Sequence, residues 1–197
     1  MRADALPDAG TGAGQKLGPG RMVLVVGPSG AGKDTLMSAL RDRLKDRPDV
    51  HFVRRAITRD CDPDAEDHET LTRTEFDRLV AGGETALFWE AHGLGYVIPK
   101  AYDACIRAGD TVIANGSRRV LQRAAEKYET AIVLVITAPV EVLAARLAAR
   151  GRESRADIER RLQRANLEPQ DVANLVRIEN TGTIEDGVER MLSALRL

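Results

Sequence analysis

A glycine-rich stretch between an apolar run and an amphipathic pattern constrains the fold more than any other feature. Residues 22–26 read MVLVV, residues 27–33 read GPSGAGK, and apolar residues then recur at the spacing of one helical face. Five successive apolar residues are typical of a parallel strand that is buried on both faces. The glycines allow several backbone N–H groups to point at one anion, and the following helix adds its dipole. Strand, loop and helix in this order predict a polyphosphate-binding loop. The predicted ATP-binding residues are Gly27, Pro28, Ser29, Gly30, Ala31, Gly32, Lys33, Asp34 and Thr35.

Asp34 stands where such loops usually carry a serine or threonine, whose hydroxyl supplies an oxygen to Mg²⁺. A carboxylate also supplies hard oxygen, and its charge would repel the phosphates if no cation were present. The alternative is that the dipole alone favours an acid in the first helical turn. A later apolar run, TVIA at residues 111–114, is followed by Asn115. The end of this run therefore offers no aspartate as another Mg²⁺ ligand. We therefore predict Asp34 as a Mg²⁺ ligand, with the Thr35 hydroxyl near the α-phosphate.

The rest of the chain alternates between apolar runs and helical patterns. Strands are predicted at residues 110–116, 130–138 and 175–180. Ser117 can cap a helix that runs to about Tyr128, Pro139 suits the first turn of the next helix, and Thr183 forms a capping pair with Asp186 before the last helix. Alternating strands and helices predict a three-layer α/β fold with a parallel sheet, which together with the polyphosphate-binding loop indicates a P-loop NTPase fold.

Residues 55–100 interrupt this alternation. They contain one helical pattern at about 74–82 and two strand candidates, around Leu87 and Tyr96. The single tryptophan, Trp89, is expected to be a core residue. This segment is interpreted as a lobe that closes over the substrate, or else as a decorative insertion.

Composition sets further bounds on the protein. Its 197 residues suit a single domain, assigned to residues 21–197 after a disordered leader or cloning remnant at 1–20. The 29 basic and 30 acidic residues nearly balance, so no nucleic-acid partner is expected. No apolar run approaches the ~20 residues that span a membrane. Cys61 and Cys105 show no metal-binding spacing, which indicates a reducing, cytoplasmic setting. The oligomeric state stays open, and a homodimer is one option.

Four further stretches carry a resemblance to a known family. RRAITR (54–59), WEAHGLGYVIP (89–99), NGSR (115–118) and RGRES (150–154) occur in an order that resembles the guanylate-kinase-like branch of the nucleoside monophosphate kinases. Within that branch the chain is similar to the ribose 1,5-bisphosphate phosphokinases. The resemblance implies ATP- and Mg²⁺-dependent phosphorylation of ribose 1,5-bisphosphate to 5-phospho-α-D-ribose 1-diphosphate, within phosphonate breakdown. The alternatives are a guanylate or other nucleoside monophosphate kinase and a non-catalytic guanylate-kinase-like interaction module.

Departures from guanylate kinase bear on the substrate. Thr58-Arg59 is followed by DCDPDAEDH, so the second arginine of that family is missing and His68 lies near its tyrosine position. An anion-binding Arg59 without the residues for a guanine base fits a sugar phosphate. One departure from the phosphokinases is Gly95-Tyr96, where Tyr-Gly is expected. The substrate-binding residues that the resemblance implies are Arg55, Arg59, His68, His92, Tyr96, Asn115, Ser117 and Arg118.

An arginine-rich stretch at about 150–166 matches the lid of these kinases. Guanidinium groups donate in a planar fork that suits the oxygens of a transferring phosphoryl group. Arg150, Arg152 and Arg161 are therefore predicted to be catalytic together with Lys33, whereas Arg155 and Arg160 are expected to lie on a solvated helix face. No general base is needed, because a phosphate acceptor is already ionised at neutral pH.

Overall fold

The structure, a computed structural model, describes residues 15–59, 68–149 and 173–197. Its strands are β1 Leu17–Val26, β2 Val50–Phe52, β3 Arg55–Ile57, β4 His68–Thr70, β5 Thr85–Ala91, β6 Leu94–Pro99, β7 Thr111–Asn115, β8 Tyr128–Thr137 and β9 Leu175–Glu179. Its helices are α1 Lys33–Arg43, α2 Arg73–Ala81, α3 Tyr102–Ala108, α4 Leu121–Lys127, α5 Val140–Ala149 and α6 Ile184–Leu195, with a 3₁₀ turn at Arg118–Val120 before α4.

Five strands form the central sheet, in the order β2-β7-β1-β8-β9, and every pairing is parallel. The middle strand β1 is fully covered along Met22–Val25, as its apolar run predicts. Ile106 of α3 and Ala124 of α4 pack on one face, whereas Leu36 of α1 and Met191 of α6 pack on the other. The predicted three-layer α/β fold with a parallel sheet is confirmed.

A second sheet, in the order β4-β3-β6-β5, occupies the segment predicted as a lobe. Helix α2 packs on it through Phe76, which is 1% exposed and contacts Ala56 and Val97. A Cβ atom at Gly95 would lie 2.6 Å from the Phe76 ring, so the helix can approach this closely only over a glycine. Strands β5 and β6 form a hairpin whose two turn residues, His92 and Gly93, have φ angles of 55° and 78°.

Several predicted boundaries are wrong or incomplete. Strand β1 begins at Leu17, five residues before the predicted apolar run, so residues 17–20 belong to the sheet and not to a leader. These four residues read LGPG, which lacks the continuous apolar run that is typical of a buried strand. Residues 1–14 lie outside the described residues. Strands β2, β3 and β4 were not predicted, since three residues are too few to show a periodicity.

Two capping predictions have different outcomes. Thr183 and Asp186 form the reciprocal capping box at the start of α6, as predicted. The Ser117 hydroxyl accepts a hydrogen bond from the backbone N–H of Arg119 and so caps the 3₁₀ turn, whereas α4 itself begins after Val120 without a side-chain cap. Trp89 is buried. Within the described ranges, no helix has the length and apolar character needed to cross a membrane.

Candidate active site

The loop between β1 and α1 adopts a conformation that only glycine tolerates at several positions. Gly27, Gly30 and Gly32 have φ angles of 150°, 85° and 87°. A Cβ atom at Gly27 would lie 2.2 Å from the carbonyl oxygen of Ile136, and one at Gly32 would lie 2.4 Å from Nδ2 of Asn180. Helix α1 begins directly afterwards, at Lys33. The loop therefore presents its backbone at a helix N-terminus, which favours a bound anion.

Lys33 lies across this loop. Its ammonium group donates to the carbonyl oxygens of Gly27 at 2.9 Å and Pro28 at 3.0 Å, and the side chain is half-buried. The loop's own carbonyl groups therefore hold the charge close to the turn. From this position the flexible lysine stem can deliver the ammonium group to a phosphate bound by the loop.

Side chains from outside the phosphate loop stabilise it by hydrogen bonds to its backbone. Two of them, Asn180 and Arg146, were not among the predicted site residues. The side-chain amide of Asn180 donates to the carbonyl oxygen of Ala31 at 2.8 Å, and Asn180 is 8% exposed. The guanidinium of Arg146 donates to the carbonyl oxygens of Asn180 at 3.1 Å and Gly30 at 3.4 Å. A polar residue at the carboxyl end of a predicted strand was the available signal for Asn180. The contact of Arg146 joins residues 116 positions apart and has no local signal.

Asp34 meets the end of a neighbouring strand. The amide Nδ2 of Asn115, at the carboxyl end of β7, donates to Oδ1 of Asp34 at 3.0 Å. Asn115 is 7% exposed, whereas Asp34 is exposed at the start of α1. The contact fixes one carboxylate oxygen beside the phosphate loop. Hard carboxylate oxygens are suitable ligands for Mg²⁺, so this donor set fits the predicted ion.

Ser117 and Arg118 follow Asn115 at the same edge of the sheet. The Ser117 hydroxyl caps the 3₁₀ turn, and Arg118 is exposed as the first residue of that turn. Asn115 is paired with Val25 of β1, two residues before the phosphate loop. The structure therefore places the NGSR segment beside the loop. Its contact with substrate stays a prediction.

Arg59 follows the end of β3 and lies next to the β5–β6 hairpin. Its predecessor Thr58 accepts a hydrogen bond from the Gly95 N–H through its hydroxyl, and donates its own N–H to the Gly95 carbonyl. Within the described residues, the buried Nε of Arg59 has no hydrogen-bond partner. A buried guanidinium donor without an acceptor is costly, so this site suits an anionic ligand.

His68 is buried beside Arg59. It is 2% exposed, and its Nε2 lies 3.3 Å from the carbonyl oxygen of Arg59. Strand pairing sets this position, because β4 runs parallel to β3 with His68 opposite Arg55. The contact braces the backbone that carries Arg59. Direct substrate contact by His68 stays a prediction.

Arg55 is packed against two aromatic rings. Trp89 and Tyr96 are partners across the β5–β6 hairpin, with ring centroids 5.2 Å apart and planes 1° apart. The Arg55 guanidinium lies 5.6 Å from the Trp89 centroid and 5.3 Å from that of Tyr96. Arg55 is 7% exposed, so the π faces hold its charge inside the lobe.

His92 differs from the other predicted substrate residues. It is exposed in the two-residue turn of the hairpin, and none of the described residues forms a hydrogen bond or ion pair with its side chain. His92 and Gly93 form this tight turn, and contact of His92 with substrate stays a prediction. The predicted lid residues Arg150, Arg152 and Arg161 lie outside the described residues.

The chain matches the AAA domain family over residues 23–168. It is 45% identical over 175 residues to the ribose 1,5-bisphosphate phosphokinase of Agrobacterium fabrum, which covers 89% of this chain and 96% of that protein. It is 49% identical over 166 residues to the enzyme of the same name from Rhodopseudomonas palustris, which covers 84% and 83%. The chain belongs to the ribose 1,5-bisphosphate phosphokinase family. The resemblance seen in the sequence is thereby confirmed.

Solved structures place this phosphokinase family member among the P-loop kinases by fold. The guanylate kinase of Anaplasma phagocytophilum matches with a TM-score of 0.60 at 18% identity, covering 92% of this chain and 86% of that one. A gluconokinase from Sinorhizobium meliloti 1021 matches with a TM-score of 0.52 at 17% identity, covering 92% and 94%. At such identities the similarity concerns the fold alone, and it confirms the nucleoside monophosphate kinase-like architecture.

Proposed function

We propose that this protein transfers the terminal phosphoryl group of ATP to ribose 1,5-bisphosphate, which yields 5-phospho-α-D-ribose 1-diphosphate and ADP. The observation that carries the proposal is the similarity to relatives of that name along nearly the whole chain, 45% over 89% of its length in one case. The geometry of the site is consistent with each part of this reaction.

The donor nucleotide binds with its phosphates on the loop between β1 and α1. The loop N–H groups hold the phosphates, and Lys33 moves from the Gly27 and Pro28 carbonyls to neutralise charge that develops during transfer. Asp34 would hold Mg²⁺, with its carboxylate oriented by Asn115. The ion supplies charge neutralisation at the phosphate oxygens.

The acceptor binds between the lobe and the carboxyl edge of the central sheet. Arg59 binds one substrate phosphate through the N–H groups of its guanidinium. Its buried Nε has no acceptor among the described residues, so a phosphate oxygen would provide one. Asn115, Ser117 and Arg118 face the ribose hydroxyls or the 1-phosphate. The attacking atom is an oxygen of the 1-phosphate. Because that phosphate is ionised at neutral pH, these residues orient it and no proton need be removed.

A coupled ADP-release assay across several phosphate acceptors tests the proposal. Ribose 1,5-bisphosphate should exceed GMP, AMP and UMP by at least ~100-fold in kcat/KM, the scale of a few lost hydrogen bonds. Ribose 5-phosphate is the matched control, since it lacks the attacking 1-phosphate and should be inert. Phosphorus NMR should show two coupled signals from a new diphosphate at C1.

Two other outcomes would overturn the proposal. Efficient phosphorylation of GMP, with ribose 1,5-bisphosphate inert, would make the protein a guanylate kinase. ATP binding without turnover of any acceptor would make it a non-catalytic module.

A further inference from the structure

Three potential metal ligands lie together at the amino end of the central sheet. His51 of β2, Cys105 of α3 and Asp110, directly before β7, are each half-buried, and their ligand atoms all lie within 4.8 Å of one another. We propose that this cluster, termed here the β2–α3 cluster, is a binding site for Zn²⁺ or a similar divalent transition metal ion.

Backbone hydrogen bonds fix the position of each ligand. Gly109 ends α3 in the left-handed conformation, with a φ of 101°, and the Asp110 N–H donates back to the carbonyl oxygen of Cys105 at 3.0 Å. Strand β2 pairs with β7 so that His51 lies opposite Val112. The helix end and the strand register therefore bring all three side chains to one place without any metal.

The donor set is the kind that Zn²⁺ prefers: imidazole nitrogen, thiolate sulfur and carboxylate oxygen. His51 Nε2 already lies 2.7 Å from Asp110 Oδ2. Tetrahedral bonds of about 2.0–2.1 Å imply a nitrogen–oxygen separation of about 3.3 Å. The pair must therefore open by about 0.6 Å, and the Cys105 sulfur must approach by about 1 Å from the 4.8 Å limit.

Charge and access also suit a dication. An ionised Asp110 and the Cys105 thiolate would together neutralise the ion. Arg21, whose backbone N–H donates to the Asp110 carbonyl oxygen, directs its guanidinium to the Thr111 hydroxyl at 2.9 Å and the Leu195 carbonyl at 2.7 Å. The side chains of His51 and Asp110 are 32% and 26% exposed, which leaves a fourth position for water.

The cluster is separate from the phosphate site. Strand β7 carries Asp110 directly before its amino end and Asn115, the partner of Asp34, at its carboxyl end. At ~3.3 Å per residue in a parallel strand, those five residues separate the two sites by roughly 16 Å. A metal in the β2–α3 cluster therefore cannot contact the nucleotide phosphates. It would instead tie the three-residue edge strand β2 to α3.

The experiment is calorimetric titration of Zn²⁺ into the metal-free full-length protein, with excess Mg²⁺ present to occupy oxygen-only sites. One site should be seen. Cys105→Ser, His51→Gln and Asp110→Asn should each weaken binding by at least ~100-fold, the upper end of what the loss of an outer-shell partner causes. Cys61→Ser and His92→Gln are matched controls and should bind as the parent does.

Cobalt substitution gives a second measurement that does not depend on how well the variants fold. Co²⁺ added to the unmodified protein should produce a thiolate-to-cobalt charge-transfer absorption, and Cys61→Ser should keep it. Absence of that band, undiminished Zn²⁺ binding in Cys105→Ser, or loss of binding in Cys61→Ser would each overturn the proposal.

Discussion

The side-chain amide of Asn115 donates a hydrogen bond to the carboxylate of Asp34 at 3.0 Å, joining the carboxyl end of β7 to the first turn of α1. This contact turns an unusual residue of the phosphate loop into a fixed part of the site. Since one oxygen of the carboxylate is oriented by the amide, a Mg²⁺ ion bound there would be placed by both elements.

The first prediction concerns Asp34. Asp34→Asn removes the charge and should raise the Mg²⁺ concentration needed for half-maximal rate, whereas Asp34→Ser restores the usual hydroxyl and should recover part of the loss. The measurement is initial rate against free Mg²⁺ at saturating ATP. If both variants keep the parent's Mg²⁺ dependence, the carboxylate serves only the helix dipole.

The second prediction concerns Lys33. Lys33→Ala should lower kcat by about 10²–10³-fold, the scale of removing one preorganised donor to transition-state charge, and should leave the fold intact. Steady-state kinetics and circular dichroism measure the two effects. Lys45→Ala, an exposed lysine beyond the end of α1, is the matched control. Near-normal turnover in a folded Lys33→Ala protein would refute phosphoryl transfer at this loop.

The third prediction concerns the amide that holds the loop. Asn180→Ala leaves the Ala31 carbonyl without its 2.8 Å hydrogen bond and should reduce the free energy of unfolding by about 1–3 kcal/mol. It should also raise the KM for ATP, because the loop loses its external support. Urea denaturation and kinetics measure both. Gln122→Ala, an exposed amide on α4, should change neither. A stable variant with an unaltered KM would show that the contact is dispensable.

The fourth prediction concerns the arginines that the sequence assigns to a lid. Arg150→Ala, Arg152→Ala and Arg161→Ala should each lower kcat more than they raise the KM for ATP, because the proposed contacts strengthen as charge develops. Arg155→Ala and Arg160→Ala serve as controls from the same segment and should be near normal. Losses confined to the KM would assign the three residues to ground-state nucleotide binding.

The fifth prediction concerns a buried tyrosine. Tyr128 is 1% exposed, and its hydroxyl donates to Asp103 at 2.8 Å; burial, and then the charge of Asp103, raise the pKa of the Tyr128 phenol above its usual 10. The unfolded chain then loses this proton first, so the stabilisation is complete below pH 10 and falls as the pH rises above it.

Urea unfolding of the wild type and Tyr128→Phe from about pH 8 to about pH 11 tests this effect. Near neutral pH the variant should be less stable by about 1.5–3 kcal/mol, as expected for a hydrogen bond to a charged group. The difference between the two proteins should shrink above pH 10. A constant difference would contradict the raised pKa.

The parts of the fold that the sequence predicted are those with a strong local pattern. The buried runs of β1, β7 and β8 and the capping box of α6 depend on neighbouring residues, and they were found with errors of a few residues at the ends. Strand β2 has only three residues, and the start of β1 carries Gly18 and Pro19, which usually mark turns. Their pairing is set by the rest of the sheet.

The candidate site also has parts that a local sequence pattern predicts and parts that depend on tertiary contacts. The phosphate loop and Asp34 could be predicted because they form a continuous motif. The role of Arg55 in binding phosphate stays a prediction, whereas its packing on Trp89 and Tyr96, residues more than thirty positions away, was not predicted. Contacts of this kind depend on which strands become neighbours in the lobe, and no local spacing encodes them.

Trp89 is the only tryptophan of the chain, and it lies in the lobe against Tyr96 and Arg55. The central sheet and its helices therefore contribute no indole fluorescence at all. A ligand that moves the Arg55 guanidinium or shifts the hairpin would change the emission of this one ring. The unmodified protein thus carries an optical reporter of the lobe, and its signal can be read without turnover.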